Sequence, residues 1–137
     1  MTELSQRFEI LIKKIYYIQE RYNVDATFAM IYHEKPLSTI ELGEMIRRSD
    51  EIFVIDEQRS FIAFTFTTQP DANRASLNLL QKLDSHFKDK TSCIALDGFD
   101  TAKSPQTVLG RLMQILDETR KHSYTRIENE GILDRRM

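Results

Sequence analysis

Glycine is scarce in this chain: four in 137 residues, and none between Gly43 and Gly98. A central stretch without glycine offers no bare backbone of the kind that cradles phosphates. Cysteine is scarcer still. Cys93 is the single one, so an internal disulfide is excluded, and its place in the apolar run Cys93-Ile94-Ala95-Leu96 predicts a buried strand thiol. No apolar run approaches the ~20 residues of a membrane-spanning helix. No cationic start leads into an apolar block of the signal-peptide kind, so the expectation is a cytoplasmic protein with no membrane partner. Charge of one sign is also missing: 19 Lys and Arg against 21 Asp and Glu leave a net −2. Without a dense basic run or an aromatic-plus-basic stripe, nucleic acid is not an expected partner. His33, His86 and His122 share no metal-ligand spacing, and neither Ser92 nor Ser104 sits in a nucleophile motif. No cofactor is implied.

What is present is an ordinary globular balance, 41% apolar and 29% charged, in a length that suits one domain with its own core. Residues 1–24 form an amphipathic helical segment, followed by a domain over 25–137. In the helix, Leu4, Phe8, Leu11, Ile15, Ile18 and Tyr22 recur at spacings of four and three, the seam of a coiled coil. Ile12 and Tyr16 widen that stripe, as they would in a helix lying on its own domain's sheet. A dimer seam and packing within the chain are both open on this pattern.

Beyond Asn23, Ala26 to Tyr32 alternates and is β-prone, the first strand. After Pro36, Ser38 and Glu41 form a capping-box signature with a Leu37–Leu42 staple, and the helix they start is predicted to run to about Arg48, burying Ile40, Met45 and Ile46. Glu51 to Ile55 and Phe61 to Thr67 are the next strands, joined by the polar Asp56–Ser60 connection, with Ile62, Phe64 and Phe66 on one face. Pro70-Asp71 opens a helix that turns Ala75, Leu79, Leu80, Leu83 and Phe87 to the core. Ser92 to Leu96 is a fourth strand, and Asp97-Gly98-Phe99-Asp100 a turn. Ser104-Pro105 starts a last helix carrying Val108, Leu109, Leu112, Met113 and Leu116. From Arg126 the tail is a short extra strand or a frayed end. The order β-α-β-β-α-β-α behind an N-terminal helix predicts an α+β, ferredoxin-like antiparallel sheet, palm-like as in nucleotide cyclases and polymerases, with helices on one face.

Several strings in this order resemble the diguanylate cyclase (GGDEF) domain. Leu42-Gly43-Glu44-Met45-Ile46-Arg47-Arg48-Ser49-Asp50 looks like that family's helix ending in Arg-x-x-Asp, and Phe61-Ile62-Ala63-Phe64 like the strand leaving its signature hairpin. Thr91-Ser92-Cys93-Ile94-Ala95 is similar to its Ser-x-Gly-Ile-Ala strand, and Ser104-Pro105 with Leu109 and Leu116 to its last helix. The resemblance implies a bacterial signalling domain and spans residues 26–127.

The departures carry as much weight. Where the family binds magnesium through a carboxylate at the end of the first strand, this chain has Tyr32 or His33, with Glu34 beyond. The Gly-Gly-Asp-Glu-Phe hairpin is replaced by Asp56-Glu57-Gln58-Arg59-Ser60-Phe61, and the first helical region is too short for the Phe-x-x-x-Asn segment that supports base recognition. Two-metal chemistry on paired carboxylates then loses its ligand, its hairpin and its base pocket. The expectation is a degenerate, catalytically silent domain that acts as a protein-interaction or dimerisation module, with another protein or a second copy as partner. In the resembled family, Arg-x-x-Asp clasps cyclic di-GMP, which would make Arg47 and Asp50, with Arg59 as a further cationic arm, a receptor site. The same string also reads as a basic helix end with a capping aspartate. A metal-dependent nucleotide enzyme on Glu34, Asp56 and Glu57 is the remaining alternative.

Overall fold

The computed structural model describes residues 3–98 and 100–135. Its elements run α1 (Glu3–Tyr22), β1 (Ala26–Tyr32), α2 (Thr39–Gly43), β2 (Glu51–Val54), β3 (Arg59–Thr65), α3 (Gln69–Phe87), β4 (Cys93–Gly98), α4 (Pro105–His122), β5 (Ile127–Glu128) and α5 (Ile132–Arg135). The five strands form one sheet in the order β2-β3-β1-β4-β5. The first four strands pair antiparallel, the ferredoxin-like arrangement expected. The tail resolves to a strand: β5 joins β4 in parallel, Ile94 against Ile127.

The sheet is covered on both faces, which corrects the one-face plan. α2 and α3 lie on one side, where Leu42, Leu79 and Leu83 meet Ile31, Ile62, Phe64 and Ile94. α1 and α4 close the other, packing Phe8, Ile12, Ile15, Leu112 and Ile115 on Phe28, Met30, Phe61 and Ala95. The cause lies in the strands, whose alternate residues are apolar on both sides, so neither face can be left to water. α1 is therefore a wall of the same core. Of the six seam positions, Phe8 and Ile15 are buried, Leu11 and Ile18 half-buried, and Leu4 and Tyr22 exposed. Cys93 is a buried strand residue, and burial pushes its thiol pKa up.

The starts of helices were legible and one stop was not. Ser38 Oγ accepts from the Glu41 N–H at 3.0 Å and Glu41 Oε1 from the Ser38 N–H at 2.9 Å, a closed capping box. Ser104 caps α4 the same way, accepting from the Thr107 N–H at 3.1 Å. α2, however, ends at Gly43 instead of near Arg48: the Met45 N–H closes on the Leu42 carbonyl three residues back (2.9 Å), and beyond it the Arg47 N–H donates to the Asp50 carboxylate (3.3 Å). Of the side chains expected to be buried, Ile40 faces solvent at 77% exposure, and Met45 and Ile46 are only half-buried; Leu42 is the buried residue of α2. β3 likewise starts at Arg59 and stops at Thr65. Phe66 takes a left-handed backbone (φ 55°), which breaks the alternation and turns its ring outward instead of beside Phe64. β4 runs through Asp97 and Gly98, so the expected turn begins later; its Phe99 lies outside the described residues, and the Lys103 N–H closes on the Asp100 carbonyl at 3.1 Å.

Candidate functional site

β1 ends beside the β2–β3 turn, bringing together the residues that the sequence placed at the metal and hairpin positions. His33, directly after β1, is fully buried. Its Nδ1 lies 2.9 Å from the Lys35 carbonyl oxygen, which can only accept, so Nδ1 carries the proton. Nε2 then accepts from the Ser60 hydroxyl at 2.9 Å. The ring stacks on Phe87 with centroids 6.3 Å apart. Burial lowers the His33 pKa below its ordinary 6.5, only partly offset by the bond to Lys35. The turn is stitched to the strand end as well: the His33 N–H donates to the Gln58 carbonyl (2.9 Å) and Gln58 Nε2 to the Glu34 carbonyl (3.4 Å).

This buried neutral imidazole has a measurable consequence. The unfolded chain protonates near 6.5 and the folded chain only at lower pH, so stability is complete above 6.5 and falls as pH drops toward the depressed value. Urea midpoints should fall between about pH 7.5 and about pH 5.5, and His33→Gln should flatten that slope. An unchanged slope in the variant would mean that His33 is not the group responsible.

On the turn itself, Asp56 is paired. Arg59 donates to Asp56 Oδ2 from Nε (2.9 Å) and Nη2 (2.5 Å), and the Gln58 N–H donates to Oδ1 at 2.9 Å. Partial burial works against ionisation of Asp56, but the Arg59 and Gln58 bonds win and hold its carboxyl below the usual range. Glu34 and Glu57 are exposed. Among the described residues no three His, Cys, Asp or Glu side chains stand together as a metal site. The donor set does not fit the pair of magnesium ions that the resemblance implies. Behind the turn, Tyr32, Gln58, Arg59, Asp117 and Arg120 line a polar cleft of about 190 Å³, with the Arg120 guanidinium 3.7 Å over the Tyr32 ring.

Arg47 and Asp50 meet each other at the far end of β3 from this turn, beside α3. Arg47 forks onto Asp50 through Nε–Oδ2 (3.2 Å) and Nη2–Oδ1 (2.7 Å), and Nη2 also donates to the Thr65 carbonyl (3.1 Å) and Thr67 Oγ1 (2.7 Å). The Asp50 side chain is 1% exposed and that of Arg47 54%. The pair ties the loop after α2 to the end of β3, and with Met45, Phe64, Asn78 and Lys82 it lines a groove of about 310 Å³. Arg59 stands at the turn with Asp56, apart from this pair.

Two structural ion pairs escaped the sequence reading. Asp97 in β4 is buried and accepts from Arg111 Nε (2.8 Å) and Nη2 (3.2 Å). Arg126 forks onto Asp84 at 3.0 and 2.7 Å and donates to the Ser92 carbonyl at 3.2 Å, anchoring β5 to α3. The only local hint was an aspartate at the end of an apolar strand, a place where burial demands a cation.

No protein-family model matches the sequence, and no curated protein matches it. Solved structures do match. The GGDEF domain of DgcB from Caulobacter crescentus, in complex with c-di-GMP, superposes with a TM-score of 0.72 at 9% identity, covering 92% of this chain and 90% of that one. The diguanylate cyclase SiaD from Pseudomonas aeruginosa, in complex with its activator SiaC, gives 0.71 at 9% identity over 93% of this chain. The present chain spans 60% of the SiaD chain's length. The fold is that of GGDEF cyclase domains; at such identity the likeness concerns fold alone. Among the described residues no helix is long and apolar enough to cross a membrane.

Proposed function

We propose that this GGDEF-fold domain does not cyclise nucleotides and serves in signalling as a protein-interaction module. One observation carries the reading: the strand end and turn where a nucleotide and its metals would have to lie present a buried imidazole and an arginine-paired aspartate in place of a set of metal-binding carboxylates. His33 stands buried and neutral where a carboxylate would be needed, and Asp56 is held by Arg59. A triphosphate needs close approach to backbone, which the turn's side chains obstruct. A protein role also suits the SiaD relative, recorded with a protein activator. The test is incubation of the purified chain with GTP and magnesium or manganese, read by mass spectrometry. No cyclic di-GMP is expected; its formation above a boiled control would end this reading.

A second reading, a cyclic di-GMP receptor, is favoured by the groove that Arg47, Asp50 and Lys82 share. For Asp50 to accept from a guanine it must first release Arg47, so the clasp opposes binding. Calorimetry with cyclic di-GMP should therefore give no saturable heat, and a saturable isotherm would revive the receptor.

A further inference from the structure

The polar cleft behind the β2–β3 turn holds two opposite charges that the fold keeps apart. Met113, Leu116, Asp117 and Arg120 line it from one stripe of α4, at the spacing i, i+3, i+4 and i+7. Tyr32 and Gln58 close it from the strand end and the turn. Aspartate and arginine three residues apart on a helix are placed to pair, and Asp71 and Arg74 on α3 do so. Asp117 and Arg120 share that spacing without pairing: the Arg120 guanidinium lies instead 3.7 Å over the Tyr32 ring. Among the described residues neither side chain has a hydrogen bond or an ion pair.

The stack on Tyr32 holds the guanidinium in place and leaves its N–H groups unspent, a fork that fits a carboxylate. Asp117 is an unspent acceptor on the same stripe. Gln58 adds another, since its Nε2 donates to the Glu34 carbonyl at 3.4 Å and leaves Oε1 free to accept. The remaining charges, Asp56 and Arg59, are joined to each other. Two aspartates against two arginines leave the lining without net charge, so a phosphate dianion meets no attracting field. The volume of about 190 Å³ also lies below the ~300–1,000 Å³ usual for larger ligands. The ligand that suits this cleft is small, carries one charge of each sign and has an apolar part for Met113 and Leu116.

We propose that the cleft binds a free α-amino acid with a short aliphatic side chain, of the kind of valine or leucine. Its carboxylate takes the Arg120 fork, its ammonium lies between Asp117 and Gln58 Oε1, and its side chain rests on Met113 and Leu116. Arg59 does not compete for the carboxylate, because Asp56 and the Met113 sulfur already hold it. The inference goes beyond the interaction-module reading and does not depend on it, since neither a nucleotide nor a partner protein enters the argument.

Calorimetry of the full chain with L-valine and L-leucine at millimolar concentration should give saturable heat. Leucinamide lacks the carboxylate and 4-methylpentanoate lacks the ammonium, and each should bind about ten-fold more weakly or worse. Arg120→Gln and Asp117→Asn should each lower the affinity for the amino acid about ten-fold or more. Both side chains are exposed, so the urea midpoints of these variants should stay near that of the parent chain. No saturable heat with either amino acid overturns the inference, as does binding that neither variant changes. Inorganic phosphate bound as tightly as the amino acid also overturns it, because the cleft would then be a plain anion site. The GTP assay judges the silent-domain reading by itself.

Discussion

Phe8→Ala should destabilise the domain by about 3–5 kcal/mol, the range for truncating a buried aromatic ring. The ring is nearly inaccessible, and it meets Phe61 and Phe53 edge-on at centroid distances of 5.0 and 5.5 Å. Its loss opens a cavity between helix and sheet that the rigid strand backbone cannot collapse into. Tyr17→Ala, on the solvent side of α1 at 61% exposure, should shift stability by no more than about 0.5 kcal/mol. Urea unfolding of the two variants separates the cases. If α1 were an independent segment, Phe8→Ala would leave the unfolding midpoint of the sheet where it was. A midpoint that falls only in Phe8→Ala identifies the helix as part of the cooperative unit.

The second large effect belongs to the clasp. Arg47→Ala leaves the Asp50 carboxylate buried with the backbone N–H of residue 47 as its remaining donor from that site, and strips the Thr65 carbonyl and Thr67 hydroxyl of a shared partner. Breaking a fully buried pair costs about 3–5 kcal/mol. Because Arg47 is half exposed, solvent screening reduces the expected loss to about 2–3 kcal/mol. Asp50→Ala should cost less, since the freed guanidinium can turn to water. The double variant should lose less than the sum of the two, with a coupling of about 1–2 kcal/mol in a double-mutant cycle. Strict additivity would show that the two side chains do not act on each other.

Much of the clasp's chemistry was on view in the string Arg47-Arg48-Ser49-Asp50, which allows both a ligand grip and a local cap. The structure favours a third arrangement that contains the second: arginine and aspartate satisfy one another, and the arginine also binds Thr65 at the end of β3 and Thr67 just beyond it. Those partners lie 18 and 20 residues away, beyond any spacing that a local pattern can register. His33 makes the same point. Its residue type left open what would surround it, and one of the groups that fix its ring is Ser60, 27 positions further on.

Features written in short-range physics were readable directly from the residues. The alternation of β1, the capping box at Ser38 and Glu41, and the Ser104-Pro105 helix start each depend on groups within one or two turns, and each stands where the pattern put it. The face that α1 buries, the early end of α2 and the outward turn of Phe66 followed other rules. An amphipathic stripe states that apolar side chains must leave water without stating which surface receives them, and β1, β3 and β4 supplied that surface through their second apolar face. Burial energy is indifferent to distance along the chain, so its outcome is settled only where distant segments meet.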